Sequence, residues 1–439
     1  MISNQRTLCA VLVFSICLAL ITGCGDTFRP TIIPQAQPQG NPSTLGQAVV
    51  LSTNPSGNGS DTHVDVSGDT NVGVVTVGPN PVFMGNSSNR AYVINSSSAA
   101  GVPSTVTLYV ALLPQQSTIS TITLPATAQG PIAGGSGPDG TIYVANSLSN
   151  DVTFIPASNG VAAGSIPVQT NPVAVAGGAS SLSKVYVVNK GSNSVSSIST
   201  VSNTVLGTIP VGTSPVWAVM STDGLAVFVV NQGSNNVSVI DTGSDTVIAT
   251  LPVGVSPNFA FFDSHSSRVY VSNTGSNSIS VIKADLISSG TNPTKLADVP
   301  ISGPAVSVTA LSDGTRAYAA LGGCPAGINH TTLLSTVTGG GCTGTSVSVI
   351  DALALRESKV IPVGNGAVSI DAASDATRVY VVNSHDSNIS IIRTASDTEL
   401  TDTAGHPARM AVPLQSLSCA VQTSCPATPQ MPFLVKTFP

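Results

Sequence analysis

Charge is scarce in this chain: Asp, Glu, Lys and Arg make up 8% of its 439 residues, and only 15 residues are Lys or Arg. So few cations leave no basic stripe to follow a phosphate backbone, and no nucleic-acid partner is expected. Aromatics are equally sparse, at 4% with a single Trp. Long apolar runs are missing beyond the N-terminus, so no later segment is expected to cross a bilayer as a helix. Also missing are an amphipathic helical period, a phosphate-cradling Gly loop opening a helix, a Gly-x-Ser-x-Gly elbow and a Cys-x-x-Cys-His sequence. These absences predict no cofactor, and they leave no coherent catalytic or metal-binding set. What is present is Val, Ala and Ile scattered among Ser, Thr, Asn and Gly, punctuated by 41 Gly and 30 Pro. That mixture predicts many short strands separated by many turns.

The one apolar stretch is Leu8 to Leu20, preceded by Arg6 and followed by Ile21-Thr22-Gly23-Cys24. Its length suits a signal peptide, and polar Gly25-Asp26 follows at once, which disfavours a membrane span. The four residues resemble the bacterial lipobox, with Ile where Leu is more usual, and the resemblance implies lipid attachment at Cys24. Residues 1–23 are thus expected to leave as a lipoprotein signal. Residues 24–45, rich in Pro and Gln, are expected to be a flexible tether. The address implied is the bacterial envelope, with the lipid holding the chain to a membrane.

Of seven cysteines, Cys9 and Cys17 precede the cleavage point. Cys324, Cys342, Cys419 and Cys425 remain, an even number in an oxidising compartment. Three connectivities are open, and local pairing of Cys324 with Cys342 and Cys419 with Cys425 is the simplest. Neither spacing is that of a zinc knuckle.

The chain repeats itself. An apolar strand with a central aromatic and a final Asn recurs as Ala91-Tyr92-Val93-Ile94-Asn95, Ile142–Asn146, Val185–Asn189, Val227–Asn231, Val269–Asn273 and Val379–Asn383. A degenerate copy, Ala317–Leu321, lacks the Asn. Central aromatics at 143, 186, 228 and 270 are spaced 43, 42 and 42 residues apart. Each full unit carries four strand signals, and links such as Pro167–Pro172, Pro210–Pro215 and Pro252–Pro257 lead into the next. Four antiparallel strands per unit, repeated radially, predict an all-β propeller over residues 46–415, with 416–439 a tail carrying a Cys pair.

The Tyr-Val-x-Asn strand, the Ser-Asn-x-(Val/Ile)-Ser-Val-Ile-Asp strand and the Ile-Pro-Val-Gly link resemble the YVTN repeats of surface-layer-like and YncE-type β-propellers, over roughly residues 70 to 412. The resemblance implies seven blades around a central channel and little chemistry; Asn71–Val77, read as a fourth strand, would complete the last blade and close the ring between N- and C-terminal strands. Eight blades stay open. Ala48–Leu51, His63–Val66 and Asn71–Val77 read as strands, and His406–Val412 reads as the first strand of a unit.

Candidate chemistry lies on the face carrying the second-to-third-strand turns. The Asn series stands there, with an architectural role expected because Asn bonds local backbone and tolerates turn geometry. The insertion Gly322–Thr345 should project from this face with His330, and the next unit's turn brings His385 and Asp386. Imidazoles and a carboxylate on neighbouring blades are a conceivable acid–base or metal site. Asp61, Asp65 and Asp69 around Gly68 loosely suggest a calcium loop, but the closing Glu is missing. The function expected is a non-enzymatic binding scaffold with a protein or glycan partner. The alternative, by fold analogy alone, is a lactonase-like hydrolase using the His330, His385 and Asp386 face.

Overall fold

The computed structural model describes residues 46–438, apart from 55–56, 88–89, 98–101, 111–119, 158–159, 180, 285–290 and 413–429. Cys24, Cys419 and Cys425 lie outside the described residues. The described strands form eight antiparallel sheets, so the propeller has eight blades rather than the seven implied by the resemblance.

Blades 1 to 7 follow chain order, and their innermost strands begin at Pro81, Pro131, Pro172, Pro215, Pro257, Ala305 and Ala367. Blade 8 closes the ring. Its three outer strands are Gln47–Thr53, Asn58–Asp65 and Thr70–Pro79, and its innermost strand is Met431–Phe438. Neighbouring innermost strands touch all the way round, including Met431–Phe438 against both Ala367–Ala372 and Pro81–Ser87. The clasp of N- and C-terminal strands is therefore real, but a different segment makes it. Met410–Ala411, inside the segment expected to be that strand, pairs instead with Asn388–Arg393 on the outer side of blade 7. There it resumes the edge begun by Thr398–Glu399, and an Arg409–Glu399 ion pair of 2.8 Å holds the intervening excursion. Residues 431–438 accordingly belong to the propeller and not to a tail.

Each blade is built by the same local chemistry. The second strand alternates so that its central aromatic packs between blades. Tyr92, Tyr143, Tyr186, Phe228, Tyr270, Tyr318 and Tyr380 are all fully buried. Burying such a ring removes on the order of 150–250 Å² from water, a contribution that each repeat supplies again.

The Asn that ends the second strand staples the hairpin. Its Nδ2 donates to the hydroxyl of the third residue of the next strand: Asn95 to Thr107, Asn146 to Thr153, Asn189 to Ser196, Asn231 to Ser238, Asn273 to Ser280 and Asn383 to Ser390, at 2.8–3.0 Å. The architectural role expected of the series holds. Blade 6 supplies the counter-example. Leu321 stands in the Asn position, and the hydroxyl of Ser348 is left buried without a partner. Blade 8 has Ser52 and Thr62 in the paired positions, and both hydroxyls are likewise unpartnered.

Blades are also latched to one another. The turn between third and fourth strands holds a residue at positive φ: Asn203 (52°), Asp245 (53°), Asp397 (50°) and Asp69 (51°). Asn and Asp tolerate that backbone better than other side chains. Each reaches the Tyr of the preceding blade. Tyr143 donates to Asn203 at 2.8 Å, Tyr186 to Asp245 at 2.6 Å, Tyr380 to Asp69 at 3.3 Å, and Tyr318 to Asp397. In the three acidic cases a cation two residues before the Tyr joins: Lys184 at 2.9 Å, Arg378 at 3.0 Å and Arg316 at 2.7 Å. A carboxylate shared by a phenol and a cation receives charge-assisted bonds, the stronger kind.

Candidate functional site

The turn after the second strand of blade 6 is replaced by Gly322–Thr345, where the stapling Asn has become Leu321. Within it helix α1, His330–Thr338, starts at a capping box: the Asn329 side chain accepts from the helix's first turn and Thr332 answers onto the Asn329 backbone. Cys324 and Cys342 form a disulfide with 4.2 Å between their Cα atoms, and both are buried. The loop is expected to project. Instead it folds inward, because its apolar residues find partners over the channel. Ile328, Val337 and both cysteines join the apolar cluster of blades 6 to 8, and Leu334 packs against the cluster of blades 8 and 1.

The helix reaches across the ring. It contacts the innermost strand of blade 4, Pro215–Met220, and that of blade 8, which stands opposite. On the blade 4 side, Gln232 donates to the Ile328 carbonyl at 3.1 Å and accepts from Asn329 at 3.1 Å. His330 Nε2 lies 2.7 Å from the Val173 carbonyl of blade 3, so this nitrogen carries the proton and donates. Its ring stands edge-on to Trp217, with centroids 4.6 Å apart. Trp217 meets Phe259 of blade 5 at 5.0 Å and Phe83 of blade 1 at 6.5 Å, while its Nε1 donates to the Ala260 carbonyl. One mouth of the channel is thus stoppered by a helix standing on an aromatic floor. Burial pushes the His330 imidazole down to about 4, so it is neutral at ordinary pH, and its Nδ1 is buried without a partner.

The structure does not bring His330 together with His385 and Asp386. His330 turns to blades 3 and 4, whereas the other two stay in the second-to-third-strand turn of blade 7, on the far side of the ring. Asp386 there accepts from the Asn365 backbone at 2.8 Å and lies 3.8 Å from Arg409. His385 packs its backbone on the Asn365 carbonyl. Among the described residues no group of three His, Cys, Asp or Glu side chains is placed to hold a metal ion.

The three N-terminal acids separate likewise. Asp65 binds Ser67 within its own turn, and Asp69 is the latch onto blade 7. Asp61 is buried against blade 1, where it accepts from Tyr109. His63, on the same face of the same strand, meets Tyr109 edge-on at 5.4 Å, and its Nδ1 lies 3.0 Å from Gln47 Oε1. Burial pushes the Asp61 carboxyl up to about 7 and the His63 imidazole down to about 4. This polar seam went unseen in the sequence because Asp61 and His63 fall in a copy without the Tyr-Val-x-Asn strand. Their two-residue spacing on a strand was the available signal.

These features define a class: an eight-bladed β-propeller with a disulfide-pinned helical stopper. No family model matches the chain, and no curated protein matches it. Among solved structures it is similar to the hydrazine synthase of Kuenenia stuttgartiensis, at 18% identity and TM-score 0.51, over 73% of this chain and 97% of that one. It is also similar to the dihydro-heme d1 dehydrogenase NirN solved in complex with DHE, at 15% identity and TM-score 0.62, over 86% of this chain and 76% of that one. At such identities the likeness is one of fold alone.

Proposed function

We propose that this chain is a binding scaffold of the bacterial envelope, a propeller of the YVTN-repeat type tethered by a lipid on Cys24 and presenting its stoppered face to a protein or glycan. The stopper carries this proposal. A helix held by a disulfide and two rows of blade contacts turns a channel mouth into a continuous surface, the geometry a macromolecular partner needs. Of the side chains that a lactonase-like hydrolase would draw on, two are engaged elsewhere, and His385, whose buried Nε2 has no partner, stands across the ring from His330. His330 is spent on a backbone carbonyl and an indole edge, and Asp386 on a turn amide and a guanidinium. The Cys324–Cys342 bond suits an oxidising, exported location.

Three measurements test it. Acyl-chain labelling in cells should be lost in Cys24→Ala, and persistent labelling would refute the anchor. Photo-crosslinkers at the exposed helix positions Thr332 and Ser335 should capture one envelope component, and capture should fail in Cys324→Ser/Cys342→Ser. Turnover of sugar lactones by the purified chain, abolished in His330→Gln, would overturn the scaffold reading in favour of a hydrolase.

A further inference from the structure

We propose that the face opposite the stopper rests on a lipid bilayer through the turn tips Leu353 and Val201, which leaves the stoppered face pointing away from the membrane. This orientation rests on the lipid anchor proposed above and adds to it the contacts made by the ring.

Strand order fixes where a tether joins the ring. Gln47–Thr53 is the second strand of blade 8, and second strands run toward the turns among which the stopper is inserted. Gly46, just ahead of it, therefore lies on the opposite face. Its carbonyl accepts there from Val66 N, at the start of the third-to-fourth-strand turn of the same blade, at 3.3 Å. A chain coming from Cys24 arrives at this point. A stretch the length of residues 24–45 spans up to about 70 Å when extended, far enough that the tether alone does not orient the ring.

The third-to-fourth-strand turns lie on this same face, and one residue forms the tip of each. The tip is Ser67, Gly243 and Ala395 in blades 8, 4 and 7, but Val201 in blade 3 and Leu353 in blade 6. These two are the most exposed large apolar side chains among the described residues, at 82% and 88%. Both stand on ordered turns. Asp351 accepts from the Leu353 and Ala354 amides at 2.9 and 2.8 Å, and Asn203 N closes the Val201 turn on Ser199 O at 2.9 Å. Such a tip buries apolar area on entering the headgroup boundary and gives up little chain entropy in doing so.

The charges nearby suit lipid phosphates. Arg356 follows the Leu353 turn, and Arg393 leads into the neighbouring turn of blade 7, which Lys359 of blade 6 touches at the Ser396 carbonyl. Both arginines are exposed, and neither has an ion-pair partner among the described residues. A guanidinium beside an apolar tip pairs with a phosphate while the tip sits deeper. The acids of the first-to-second-strand turns bend back instead: Asp139, Asp223, Asp313 and Asp375 each accept from an amide of their own turn. Blades 3, 6 and 8 are spread around the ring, so two tips and the tether make a three-point rest.

The test uses the full lipid-bearing chain in vesicles of phosphatidylethanolamine and phosphatidylglycerol, with a benzophenone amino acid placed singly at Leu353, Val201, Leu148 or Ser335. Leu148 is a control of like chemistry, 73% exposed in a second-to-third-strand turn on the stoppered face, and Ser335 lies on the stopper helix. Lipid should be crosslinked severalfold more from Leu353 and Val201 than from either control. Leu353→Glu should bring the Val201 probe down to the control level and leave the melting temperature unchanged, because this side chain makes its contact outside the protein. Lipid captured equally from all four positions, or more from Leu148 and Ser335, would overturn this orientation and leave the anchor standing. So would Val201 crosslinking that Leu353→Glu does not alter. A chain that fails to join the vesicles at all would overturn both.

Discussion

Blade 3 and blade 8 share one four-stranded plan and differ in how each is held. Blade 3 is a continuous stretch of chain, stapled by Asn189 and latched to blade 4 at its rim by Lys184, Tyr186 and Asp245. Blade 8 is assembled from strands at opposite ends of the chain. It has no staple, and it meets blade 1 through a buried Asp61–Tyr109–His63 cluster instead of a rim latch. It carries five unpartnered buried side-chain atoms, Ser52 Oγ, Asp61 Oδ1, Thr62 Oγ1, His63 Nε2 and Asn71 Nδ2, whereas blade 3 carries one, the Oδ1 of its stapling Asn189. The stapled blades satisfy the Asn Nδ2 and the facing hydroxyl and leave only the Asn Oδ1 of that pair without a partner. The closing blade tolerates unsatisfied groups because its apolar strands are what complete the ring.

The largest effect should therefore come from the closing strand. Val435 is buried and faces the blade 6 to 8 cluster. Val435→Asp places an unpaired charge there and should cost about 4 kcal/mol, with loss of a single cooperative melting transition. Val360→Asp on a half-exposed outer strand should stay within about 0.5 kcal/mol. Equal costs for the two would contradict the special status of the closure.

The next effect is a pH dependence confined to the closing seam. Burial holds the Asp61 proton in the folded chain up to about pH 7, whereas the unfolded group releases it near 3.8. Stability from Asp61 is therefore present at low pH and lost as pH rises through that window. His63 runs the other way. Its folded value of about 4 lies below the ordinary 6.5, so its contribution is lost as pH falls between the two. Asp61→Asn should remove only the first slope. Its stability advantage over the parent should grow by roughly 2–4 kcal/mol between about pH 4 and pH 8, measured by denaturant melts at each pH. A flat difference would show that Asp61 ionises freely and that the seam is wetter than its burial indicates.

A smaller effect separates stapled from unstapled hairpins. Asn189→Ala strands the Ser196 hydroxyl and should cost about 2 kcal/mol. Ser348→Ala in blade 6 removes a hydroxyl that already lacks a partner, so it should be neutral or slightly stabilising in the same melts. A cost for Ser348→Ala matching that of Asn189→Ala would deny the staple its role.

The repeated blades were legible because their period is written in chemistry: an aromatic buried between sheets and an Asn that staples a hairpin must recur at fixed spacing. The closing strand was harder to see, since no Pro-Val-Gly link leads into it and the rest of its blade lies nearly 400 residues away. A signal was nonetheless present. Pro81, Pro131, Pro172, Pro215 and Pro257 each open an innermost strand opposite the stapling Asn, and Pro432 sits opposite Ser52 in the same register. His406–Val412 lost to it because blade 7 lacked an outer edge, which Met410–Ala411 supplies. The stopper was legible as an insertion with a disulfide. Its inward course was not, because it depends on Trp217, Gln232 and Val173, which lie some 100 to 160 residues earlier in the chain.

The smallest predicted effect completes the set of latches. At the seam between blades 5 and 6, Arg268 and Tyr270 stand ready, but Leu355 occupies the acid position at φ 51°. The consequence is visible: the Tyr270 hydroxyl is buried without a partner, and Arg268 turns to the Ala352 carbonyl. Leu355→Asp should give that hydroxyl an acceptor, pair the guanidinium and relieve a bulky side chain at positive φ. Partly exposed pairs are worth little, so the gain should be about 1 kcal/mol, a few degrees at most in a chain of this size. The double variant with Tyr270→Phe separates the sources of that gain. If half or more of it survives, relief of backbone strain dominates. If it vanishes, the phenol–carboxylate bond is what binds one blade to the next.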